Sequence, residues 1–137
     1  MHKKGQGRVM QNEKIRKVTG IFLIISSICM ILIWAILYAS GSINDYFDGI
    51  QFKTVFLLIS EAITCVLMFC AGIMSLRKGK TGNSLAMFSL GMLFYALLIG
   101  IGQFADRKVY WLTILFGAVA VATIVIGILN LKLNSEK

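Results

Sequence analysis

VFLLISEAITCVLMFC, residues 55–70, is an apolar run with a single carboxylate, Glu61, set inside it. Three further runs of the same character flank it, so that apolar windows cover roughly residues 18–40, 54–76, 84–104 and 110–131. Each holds about 20 residues, enough to cross a hydrocarbon core of about 30 Å at about 1.5 Å per residue. Hydrophobic residues make up 58% of the 137-residue chain, above the roughly 45–50% usual for soluble domains. The sequence therefore predicts an all-α integral membrane protein, a four-transmembrane-helix antiparallel bundle. A leader over 1–17 and a tail over 132–137 lie outside the membrane domain of 18–131, which leaves no room for a separate soluble domain. The first run is longer than the about 7–15 residues of a signal-peptide core, so it is read as a span that stays.

Charge orients the bundle. Lys3, Lys4, Arg8, Lys14, Arg16 and Lys17 lie in the leader, Arg77, Lys78 and Lys80 in the second turn, and Lys132 and Lys137 in the tail. Only Lys53, Arg107 and Lys108 fall on the other side, beside the acids Asp45, Asp48 and Asp106. Basic residues concentrate on cytoplasmic loops, so both termini are expected in the cytoplasm of a plasma membrane, and the Lys- and Ile-rich composition suits a bacterial one. The formal charge of +8 then needs no nucleic acid as partner. The bilayer itself, with anionic lipid headgroups at the cytoplasmic face, answers it at about 1 kcal/mol per basic residue.

The connections are short. The first, GSINDYFDGIQFK, is the longest, with Asn44-Asp45 and Asp48-Gly49 as turn pairs and Tyr46, Phe47 and Phe52 suited to the headgroup zone. The second, RKGKTGN, is a glycine turn, and the third, around ADRKVY, is shorter still. Short connections make consecutive helices neighbours. The chain has no proline, where average usage would give about seven, which favours continuous helices over the broken helices of many carriers.

Small and polar residues recur at helical spacing: Gly20, Ser27, Trp34 and Gly41 with Tyr38 in the first span, and Thr54, Glu61, Cys65, Met68, Gly72 and Ser75 in the second. Ser84, Phe88, Gly91, Tyr95 and Gly102 align in the third span, and Gly117, Ala120 and Gly127 in the fourth. Small residues permit close backbone approach in lipid, so these stripes are expected to face the bundle interior, with a dimer interface as the alternative.

Chemistry-bearing motifs are few. Gly79-Lys80-Thr81 ends like a phosphate-binding loop, but Met74 stands where the first glycine is required. The acids of the first connection imitate a calcium loop, yet Tyr46 takes a ligand slot and the closing glutamate is missing. The one histidine is His2, so neither a histidine-based triad nor an intramembrane metal site is expected. Cys29, Cys65 and Cys70 form no Cys-x-x-Cys pair and read as small packing residues. No catalytic constellation, cofactor-binding motif or metal site emerges, and an enzyme is not expected.

Glu61 remains. It should lie about 6 Å to the outer side of the bilayer midplane, level with Trp34, Ile99 and Gly117. Side chains lean towards their own helix N-terminus, which brings Tyr38 towards Glu61 as the first expected hydrogen-bond partner, with Trp34, Ser27 and Tyr95 on facing stripes. No Lys or Arg within the spans is placed to neutralise the carboxylate, and burial alone favours the neutral acid. Glu61, Tyr38, Trp34, Ser27 and Tyr95 thus form the candidate intramembrane cluster, either as a structural hydrogen bond or as a proton- or cation-exchanging group. SEAITCVLM is loosely similar to the glutamate helix of the small multidrug-resistance transporters. Their essential glutamate lies on the first helix and this one on the second, so no family is assigned and no residue role is carried over. The leading expectation is a non-enzymatic membrane protein acting by association, as accessory subunit, regulator or homo-oligomer. The alternative is a minimal proton- or cation-coupled transporter using Glu61.

Overall fold

The computed structural model of the chain describes residues 2–39, 52–77, 80–106 and 108–135. It is all-helical there: α1 spans His2–Ala39, α2 Phe52–Leu76, α3 Lys80–Asp106 and α4 Tyr110–Ser135. All four are long and apolar enough to cross a membrane, over Met10–Ile36, Leu58–Leu76, Gly82–Asp106 and Tyr110–Lys132. The turn pairs at 44–45 and 48–49, Tyr46, Phe47 and Gly41 lie outside the described residues, as do Lys78, Gly79 and the side chains of Phe52 and Thr54.

The basic leader is part of the first helix, because α1 begins at His2. Its Lys, Arg, Gln and Met residues are good helix formers, and Gly5 and Gly7 cost only about 1 kcal/mol each without stopping the helix.

Leu23, Met68, Ala71, Ala86, Leu90, Leu93, Leu97 and Ala120 form the core. Outside it, large apolar side chains such as Ile28, Val66, Leu98 and Val125 are exposed on all four helices, a surface suited to hydrocarbon. Helical backbones satisfy their own polar groups, which is what such surroundings demand.

Glycines set the closest helix approaches. A Cβ on Gly20 would stand 2.9 Å from the Gly72 carbonyl oxygen, so α1 and α2 touch backbone to backbone there. A Cβ on Gly82 would meet the Met74 carbonyl oxygen at 2.5 Å, fixing α3 against the end of α2. Side-chain hydroxyls add cross-links. Ser75 donates to the Arg16 carbonyl and Ser27 to the Cys65 carbonyl, both at 3.0 Å, and Ser89 donates to the Leu67 carbonyl at 3.4 Å. Rising positions in α1 thus meet falling positions in α2.

The turn from α3 to α4 is sharp. Val109 N–H donates to the Phe104 carbonyl and Lys108 N–H to the Ala105 carbonyl, both at 3.0 Å, and Lys108 has φ 59°. This is the helix-ending pattern that places a left-handed residue just past the last turn, a position glycine usually takes.

The expected interior stripes hold in part. Gly20, Ser27, Cys65, Met68, Gly72, Ser75 and Ala120 are buried. In α3 the stripe faces the other way: Ser84, Phe88, Gly91, Tyr95 and Gly102 are exposed, while Ala86, Ser89, Leu90, Leu93, Leu97, Gly100 and Phe104 are buried. The inward face of α3 thus carries Leu90, Leu93 and Leu97, which join the core with Leu23 and Met68.

Candidate functional site

Glu61 is half-buried on α2, and Trp34 of α1 donates its indole Nε1–H to Glu61 Oε2. The contact follows from the register of α1 on α2: the Gly20–Gly72 contact and the Ser27–Cys65 bond bring positions two turns apart level on the two helices, and a further two turns along α1 present Trp34. Of the candidate cluster, Trp34 and Glu61 are joined directly, and Ser27 lies further along the same interface on the Cys65 carbonyl. Tyr38 is 77% exposed and its place as partner is taken by Trp34. Tyr95 is 64% exposed, on the rim of a cleft that reaches Glu61.

Two spaces meet at Glu61. A cleft of about 350 Å³ between α2 and α3 is lined by Ser60, Glu61, Thr64, Gly91, Tyr95 and Ile99, among others. On the other side, a crevice of about 270 Å³ draws lining from all four helices. Its walls are mostly apolar, including Phe22, Met30, Leu97 and Phe116, and its polar groups are Ser26, Trp34, Glu61 and Gln103. Among the described residues, no Lys, Arg or His lines either space. The carboxyl group therefore stands where both spaces reach it, with one oxygen held by an indole. Such an arrangement can bind or release a proton or a small donor without moving the backbone.

Sequence reading missed Gln103, Ser26 and Asn130. Asn130 is fully buried, and its Nδ2 donates to Thr19 Oγ1 at 2.7 Å and to the Ile126 carbonyl at 2.8 Å. Thr19 in turn donates to the Ile15 carbonyl at 2.9 Å. Asn130 Oδ1 has no partner among the described residues. The available signal was an amide inside an apolar run, which in lipid seeks a partner on a neighbouring helix.

No curated protein and no solved structure matches this chain. A family model described as Domain of unknown function (DUF8058) matches residues 13–137, a stretch that contains every residue of this site. The chain belongs to that family.

Proposed function

We propose that this is a small non-enzymatic membrane protein whose working group is Glu61, exchanging a proton or a cation as a minimal coupled transporter does. The observation that carries this is the position of Glu61, which lines both the α2–α3 cleft and the four-helix crevice while Trp34 fixes one of its oxygens. A purely structural acid has no need of two accessible sides. The proposed setting is an antiparallel four-helix bundle in a bacterial plasma membrane, both termini cytoplasmic, its basic leader and second turn against anionic headgroups.

The test is an infrared titration of the protein in lipid, with a Glu61→Gln sample subtracted to isolate the carboxylic-acid carbonyl band. Loss of that band between about pH 6 and 8 supports exchange. A band that persists to about pH 9 overturns it and leaves a permanently neutral structural acid.

A second reading, action by association with a membrane-protein partner or another copy, draws on α4. Its apolar window is only 11% buried, the least of the four helices. Under that reading Glu61→Gln leaves cross-linking to the partner intact, whereas a coupled transporter keeps binding substrate and ceases to move it.

A further inference from the structure

We propose that the four-helix crevice binds a small lipid-soluble molecule, apolar except for one hydrogen-bonding group, which enters sideways between α1 and α4 and presents that group to Glu61. This deepens the reading of Glu61 as the working group and rests on it.

Size and lining come first. At about 270 Å³ the crevice falls just below the roughly 300–1,000 Å³ of sites for drug-sized ligands, so its occupant is small. Apolar cavities of even about 150 Å³ stay dry and take up small apolar molecules. Phe22, Met30, Leu97 and Phe116 supply such walls here. The α2–α3 cleft is lined from only two helices and so encloses a ligand less completely.

The polar end is equally specific. Trp34 holds Glu61 Oε2, and no hydrogen bond from another described residue reaches the second carboxyl oxygen. With no cationic side chain in the lining among the described residues, this carboxyl oxygen is open to a hydrogen-bonding group on a ligand. Gln103, also in the lining, offers a second amide contact.

Access follows from the seam between α1 and α4. Ile25, Cys29 and Leu115 line the crevice and are themselves exposed, so its mouth opens on the surface that faces hydrocarbon. Further along the same seam, Asn130 and Thr19 tie the two helices together. The crevice is therefore a wedge closed at one end, open to molecules dissolved in the bilayer.

The protein carries its own reporter. It has two tryptophans, and Trp111 is 67% exposed at the start of α4, so Trp111→Phe leaves Trp34 as the sole indole. In lipid vesicles, 4-bromobenzyl alcohol should quench Trp34 fluorescence saturably, with half-saturation at a membrane mole fraction about five-fold below that of 4-bromotoluene, which lacks the hydroxyl. The same alcohol should shift the infrared carbonyl band of unsubstituted Glu61. Ser26→Leu, which fills part of the crevice, should remove the saturable component. Quenching that rises linearly and equally for both probes, or saturates equally without shifting the band, overturns the proposal. The probe pair decides this in the Trp111→Phe protein alone, even if Ser26→Leu fails to fold. A band that titrates with pH but ignores the alcohol sinks this inference and leaves the exchange reading standing.

Discussion

Along its contact with α2, α1 sets Gly20 against Gly72, donates Ser27 to the Cys65 carbonyl and accepts from Ser75 at the Arg16 carbonyl. Along its contact with α4 it offers Thr19 to Asn130 and otherwise borders a crevice. The first interface is made of backbones in contact, the second of one polar clasp beside an unfilled space. In lipid, helices gain little from hydrophobicity, so close packing and interhelical hydrogen bonds decide which pairs hold. The α1–α2 pair has both, whereas the α1–α4 pair rests on the single Asn130–Thr19 bond. Glu61 stands where the tight interface meets the loose one.

The comparison breaks most easily at a glycine. Gly72→Leu should be the most disruptive change, since even a Cβ there meets Ile24 Cγ1 at 2.6 Å and the Gly20 carbonyl oxygen at 2.9 Å. Overpacking of this kind costs about 1–3 kcal/mol or more, read as a lowered midpoint in denaturing-detergent unfolding. Thr19→Val should cost about 1 kcal/mol in the same assay, because it strands a buried Asn130 N–H. Asn130→Leu should be milder, since it removes donor and orphan acceptor together. Lys108→Gly, which touches neither interface, should stabilise by up to about 1 kcal/mol by relieving a left-handed residue with a Cβ. Ser27→Ala should lose the least, about 0.6 kcal/mol, as the Cys65 carbonyl keeps its helical partner. If Thr19→Val instead costs as much as Gly72→Leu, the two interfaces are not different in kind.

Much of this was legible in the chain. The four helices followed from apolar length, and helical rise with short connections put Trp34 level with Glu61, though Tyr38 was the first expected partner. Tyr38 and Tyr95 were harder. Both can face a headgroup or a cleft rim as comfortably as an interior, and periodicity does not distinguish the two sides of a helix immersed in oil. The same ambiguity inverted the face of α3, where Leu90, Leu93 and Leu97 turned inward and Gly91 and Gly102 outward. In water the polar face would have declared itself. The crevice was not legible, because a void is a property of how four surfaces fail to meet.

The length of α1 has a mechanical consequence. Its 38 residues make a rod of about 57 Å, nearly twice the about 30 Å of a hydrocarbon core. A continuous helix carries tilt without loss, so a lean of about 10° inside the bilayer sweeps the far end through about 5 Å, given the about 27 Å that projects. The helix that borders the crevice is thus also a lever, on which any change of tilt is largest at its N-terminal end.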